Sequence, residues 1–418
     1  MGGRLRVLAL VVVAAGSPAF ACLWDSDTLR QEAAGLPGVL EVLVGRFDRF
    51  PPAYYERRIE IATARHEADG GDLGAYDDVA VSHDRLGDAD AAIEWMAKKR
   101  AALDALDGGD SEHEYRYLAN LGTFHAHRWI RGGADRSDLT DLKTARDLIA
   151  AAIELNPDAH FGREKYQLMA IEWLSAGEDR GLGIAPSPLD AIVDDLYGDY
   201  SVNRTTDRSR FLEGGEYADA VEGLLGLIVL GNAWASVDVH YALAIPLAAR
   251  GDASLVHICR LRVDELVEDG SQSLAASWSD EAIGGEWFDD GAVWSSVWPV
   301  DGFADQDRGI EAWYESARKE AKSWRARRND YVIEQIGLGR HPDTHPDYWV
   351  GWVETSSMPQ PPNGLFGLAG NRLRVVWFIA MAGVIVLVTI LGIVTLVVGI
   401  RWHVRRKRRA SMSATLPS

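Results

Sequence analysis

Within the stretch RHPDTHPDYW, His341, Asp343, His345 and Asp347 fall inside seven residues. Imidazole nitrogens and carboxylate oxygens that close together are the ligand types zinc and other divalent cations take. Tight structural sites, however, draw ligands from distant segments. Two successive His-Pro-Asp triplets also have the composition of consecutive turns, because proline presets φ and aspartate bonds its own backbone. The expectation is turns, with no metal and no other cofactor assigned. His125 and His127 cannot chelate from one helix, since residues two apart point about 200° apart around the axis. His125 is expected in the core and His127 outside. His160, Arg163 and Glu164 follow Pro157 and could reach a ligand, though a salt bridge or helix cap explains them equally simply. No GxSxG, HExxH, phosphate-binding glycine loop or ordered Ser/His/Asp set is present. The chain is therefore not expected to be an enzyme, and a metal-dependent activity around 341–347 ranks third among the readings.

What must position these residues is a 418-residue chain of formal charge −19. Its acid excess is concentrated: ten of the 43 Lys and Arg lie outside residues 22–370, and none of the 62 Asp and Glu does. A body that acidic repels phosphate backbones, so no nucleic-acid partner is expected. Residues 1–21 carry Arg4 and Arg6, an apolar run, and Ala19-Phe20-Ala21, the pattern of a signal peptide with its cleavage site. Residues 375–400 contain no charge and exceed the roughly 20 apolar residues a spanning helix needs. The basic tail 401–418 then predicts a cytoplasmic C-terminus and an extracytoplasmic N-terminal domain. Cys22 and Cys259 are too few for a disulfide scaffold, and Cys259 reads as a buried thiol.

Between these segments a small–large pattern recurs. ARDLIAAAIELNP (145–157) puts Ala145, Ile149 and Ala152 on one stripe, and related stripes follow Gly87, Gly215 and Gly251. Gly215 to Gly251 is 36 residues, a helix–turn–helix period. Upstream helices pair a small residue with a large one, as at Leu121-Gly122, which lets helix axes approach to about 8–10 Å. Thr28-x-x-Gln31, Ser111-x-x-Glu114 and Ser187-Pro188-x-Asp190 read as helix starts. The run LLGLIVLG (224–231) reads as core, and residues 309–336 as a helix burying Ile310, Trp313, Ala317, Ala321, Trp324 and Tyr331.

Leu121, Gly122, His125, Ala145, Ile149, Ala152 and Pro157 resemble the tetratricopeptide repeat, with a longer turn around RGGADRSDLT. CLWDSDTL, PPAYYERR and NPDAHFGREKYQ also resemble an uncharacterised group of bacterial exported repeat proteins. The resemblance implies an all-α, tetratricopeptide-like helical-hairpin solenoid, here with a C-terminal transmembrane helix. The organisation expected is a signal peptide (1–21), an N-terminal helical cap (22–72), repeats (73–270), a Trp-rich, mainly helical region (271–357), a Pro/Gly spacer (358–374), the membrane helix (375–400) and the basic tail (401–418).

A solenoid of this kind would meet ligands on its concave face. In the first unit that face carries Asp77, Val81, Asp84 and Arg85. In the second it carries Arg116, Asn120, Thr123 and His127, and in the last Asp238, Tyr241 and Ile245. These residues are acidic, small or apolar rather than a lysine clamp for a peptide carboxylate, which predicts a basic or apolar protein or peptide partner. The leading expectation is a docking or scaffold protein of the cell envelope. The alternative is a glycan- or wall-binding protein using Trp287, Trp294 and Trp298.

Overall fold

The computed structural model describes residues 23–157, 162–175, 216–249, 252–274 and 304–362. The signal peptide, His160, the start expected at Ser187, the three loop tryptophans, the membrane helix and the basic tail lie outside the described residues. Within them the chain is all-helical, with twelve α-helices and no strand. They are α1 (Ser26–Ala34), α2 (Val39–Val44), α3 (Pro52–Ala68), α4 (Leu73–Arg85), α5 (Ala89–Asp104), α6 (Ser111–Arg131), α7 (Thr140–Leu155), α8 (Arg163–Ser175), α9 (Glu216–Val229), α10 (Val237–Ala249), α11 (Ala253–Glu268) and α12 (Ala304–Gly337). No described helix is long and apolar enough to cross a membrane.

Aspartate sets four of the starts. Asp25, Asp72, Asp88 and Asp110 each accept the N–H three residues on, satisfying one of the free donors of a first turn. The starts expected at Thr28 and Ser111 are thereby corrected. Asp25 and Asp110 cap the two helices, and Thr28 and Ser111 are already helical. Between α4 and α5 the chain reverses at Gly87, whose φ of +93° suits glycine.

The small–large pattern has a direct physical counterpart in the α6–α7 contact. Ala145, Ile149 and Ala152 are fully buried. A Cβ built on Gly122 would sit 2.9 Å from Ile149 Cγ1 and 3.1 Å from the Ala145 carbonyl oxygen. Only glycine permits that approach. The buried stripe of α12 includes Ile310, Trp313, Ala317, Ala321 and Trp324, with Tyr331 half-buried. LLGLIVLG is likewise core, and Cys259 is a buried free thiol.

Successive helices from α3 onward pack on one another, and α12 packs on α11. Yet α12 also touches α2 and α3, while α2 packs against α9 and α11 as well. The N-terminal helices therefore do more than close one end. Leu40, Val42, Leu43 and Val44 are all buried, so α2 is apolar on more than one face and must be covered from several sides.

Candidate functional site

The residues expected to line an open concave face are mostly closed off from water. Asp77, Val81, Asp84, Asn120, Thr123, His127, Asp238, Tyr241 and Ile245 are buried, and only Arg85 and Arg116 are half-exposed. On α4, α6 and α8 the cover comes from the chain itself. Leu23 packs with Tyr76, Ala80, Val81 and Phe124. Trp24 stands edge-on to Tyr115 at 5.5 Å, with the Arg163 guanidinium 5.1 Å from its ring centroid. A large apolar side chain taken wholly out of water contributes about 1.5–3 kcal/mol, so Leu23 and Trp24 anchor this segment firmly.

Asn120 grips the segment by its backbone. Its Oδ1 accepts the Trp24 N–H at 2.7 Å, and its Nδ2 donates to the Trp24 carbonyl at 2.9 Å. The same Nδ2 reaches Asp77 Oδ1 at 3.0 Å, and Lys99 Nζ donates to both Asp77 oxygens at 2.7 and 2.8 Å. Burial works against the Asp77 carboxylate, but Lys99 and His113 hold it below the ordinary range. Trp24 Nε1 donates to Glu164 Oε1 at 3.3 Å, and Ser26 gives its N–H and hydroxyl to Asp78. Thr123 is turned to Gln167, whose Nε2 donates to its hydroxyl at 2.9 Å.

Farther along α6, the roles expected for the two histidines are exchanged. His127 is fully buried, with Nδ1 2.8 Å from Asp84 Oδ2, while His125 is half-buried with Nδ1 2.7 Å from Asp141 Oδ1. Burial pushes His127 below its ordinary pKa, against the pull of Asp84. Arg131 completes the arrangement at 2.6 Å from Asp84 Oδ1. Arg85 donates to the Leu230 carbonyl, and Arg116 pairs with Glu112. Asp238, Tyr241 and Ile245 are buried because α10 is apolar nearly all round. Asp238 accepts the Ser273 hydroxyl and the Leu274 N–H, yet burial still pushes its carboxyl up to about 6.

The His-Pro-Asp stretch folds as successive turns, with backbone hydrogen bonds from Thr344 and His345 to His341 and from Tyr348 to His345. Its four candidate ligands do not converge, and no group of three or more His, Cys, Asp or Glu among the described residues could hold a metal ion. Asp343 instead faces Arg58, which is wholly buried and reaches it through Nε at 2.9 Å and Nη2 at 3.1 Å. Arg58 Nη1 also binds Asp25 at 2.7 Å and Asp27 at 2.6 Å, and Arg30 bridges Asp27 to Asp343. Burial raises the cost of a charged Asp343, but His341 and Arg58 outweigh it and hold the carboxyl far below its ordinary range. His341 is buried against the Tyr54 ring, 4.4 Å between centroids, while Asp347 pairs with Arg340 at the surface. His345 Nδ1 lies 2.9 Å from the Thr344 hydroxyl.

The outcome is an ionic tie between the N-terminal segment, α3 and the C-terminal turns. Arg58, Asp25 and Asp27, central to it, were not expected as site residues. The available signal was the acidic run after Leu23-Trp24 and the cap formed by Asp25. No known protein family, curated protein or solved structure matches this chain.

Proposed function

We propose that this chain is a docking or scaffold protein of the cell envelope. In this reading it is exported, anchored by residues 375–400 with the tail 401–418 in the cytoplasm, and built as a tetratricopeptide-like solenoid over 73–270. One observation carries it: the face formed by α4, α6 and α8 already holds the segment of the chain that leads into α1. Asn120 binds both backbone groups of Trp24, and apolar contacts hold Leu23 and the Trp24 ring. Backbone hydrogen bonds with side-chain pockets are a general way of binding peptides. The apolar surroundings of Leu23 and the Trp24 ring favour an apolar partner segment, since the acids there, Asp77, Asp78 and Asp84, already pair with Lys99, Arg65 and Arg131. In the absence of a partner, the chain's own residues 23–34 occupy it. The reading involves no catalytic step and no cofactor.

The test is affinity capture of the full-length chain from native membranes, comparing wild type with Trp24→Ala. The variant weakens the self-contact and is expected to retain more of one defined partner, in a manner reversed by adding Asp77→Arg. Failure of either form to retain a partner above background would contradict the proposal.

A further inference from the structure

A cavity of about 110 Å³ opens between α1, the loop before α3, and the end of α9. At ~30 Å³ per water in the liquid, that is room for about four water-sized groups. Phe50, Ile228, Val229 and Trp234 make part of its wall apolar. Three carboxylates also line it, but each is already engaged: Asp25 and Asp27 by Arg58, and Asp48 by Nε and Nη2 of Arg328 at 2.7 and 2.9 Å.

Arg49, also on the wall, pairs with no carboxylate among the described residues. Among the described residues it gives one hydrogen bond, from Nη2 to the Gly45 carbonyl at 3.1 Å, and its buried Nε and Nη1 find no partner there. Its guanidinium lies 4.1 Å from the Trp234 ring centroid, and that of Arg262 lies 3.8 Å from the same centroid. Burial, then the nearby charges of Arg325, Arg262 and Arg318, push Arg49 well below its ordinary pKa, and Glu265 is the acid that opposes them. Glu265 is itself shared among Arg262, Arg318 and Lys322. A half-buried cation with two buried donors unmade and no carboxylate partner among the described residues is costly unless an anion completes it.

The walls restrict which anion that is. Three fixed carboxylates disfavour a dianion, and the apolar side suits a short hydrocarbon end rather than a fully hydrated ion. We propose that this cavity binds a small monocarboxylate, with its carboxylate on the Arg49 guanidinium and its apolar end against Phe50 and Trp234. Planar guanidinium–carboxylate pairing suits arginine better than lysine. The hydroxyls of Thr28 and Tyr55 line the same cavity and offer further donors.

The test is calorimetric titration of the full-length chain in detergent with sodium acetate and sodium propionate, against sodium chloride and sodium phosphate at equal ionic strength. Propionate is expected to bind saturably, with a Kd of about 1 mM, reasonable for so few atoms. Arg49→Gln should weaken it at least tenfold with an unchanged circular dichroism spectrum, and the surface change Arg146→Gln should leave it unaltered. If Arg49→Gln does not fold, Arg49→Lys decides, with tenfold weaker propionate binding expected. No binding by wild type, equal responses to chloride and phosphate, or unchanged affinity in the Arg49 variant would each overturn the proposal.

Discussion

Replacing Asn120 with alanine removes the side chain that bonds both backbone groups of Trp24. Asn120 is fully buried and Trp24 is 1 % exposed, so water cannot take its place without the segment moving. Three hydrogen bonds go: two to Trp24, at 2.7 and 2.9 Å, and one to Asp77 at 3.0 Å. Asp77 keeps Lys99, so its loss is small. The Trp24 N–H and carbonyl both lose their Asn120 partner, at about 1–3 kcal/mol each. The expected cost is thus ~2–6 kcal/mol, a large part of the roughly 5–15 kcal/mol by which domains are stable. If residues 23–34 lift away as a unit, the loss is limited to the free energy of docking and shows as local opening. Urea unfolding followed by circular dichroism reads the global effect, and hydrogen exchange of the 23–34 peptide reads the local one. A loss under ~1 kcal/mol with unchanged exchange would refute the reasoning.

Arg58→Met leaves Asp25, Asp27 and Asp343 around a vacated buried position, and should cost about 3–5 kcal/mol in urea unfolding. Arg57→Ala, one residue away and paired with Glu60 at the surface, should change stability by less than ~0.5 kcal/mol. Gly122→Ala forces a Cβ to within 2.9 Å of Ile149 and should cost about 1–3 kcal/mol, seen as a lower Tm. Asp238 has a folded-state pKa of about 6 against an ordinary 3.8. Its neutral form is therefore the favoured one when folded, so its contribution is complete below 3.8 and is lost as pH rises through about 6. By linkage that loss is about 3 kcal/mol. Stability measured across this window should fall more steeply with rising pH in wild type than in Asp238→Asn, and parallel slopes would contradict the assignment.

Much of the helical framework is legible in the sequence because local periodicity carries it. Leu121-Gly122 and the Ala145, Ile149, Ala152 stripe announce a close helix pair, and the aromatic face of residues 310–331 announces a buried one. The docking of residues 23–34 is not legible in that way. Its contacts join positions 96 and 140 residues apart in the Trp24 bonds to Asn120 and Glu164, and no helical period encodes such pairs. For the same reason Asp343 looked like a ligand when only its near neighbours were considered. Its partner Arg58 stands 285 residues away. His127 was expected outside because His125 was given the core position and the two point about 200° apart, and the buried Asp84 that accepts it lies on another helix.

The central claim is that residues 23–34 rest on the face formed by α4, α6 and α8. Hydrogen exchange of the wild-type peptide covering these residues, in the full-length chain, tests it most directly. The account predicts a Trp24 amide protected as strongly as the core of α6, with protection lost in Asn120→Ala. Exchange of that amide at the rate of an unstructured chain end in wild type would contradict it.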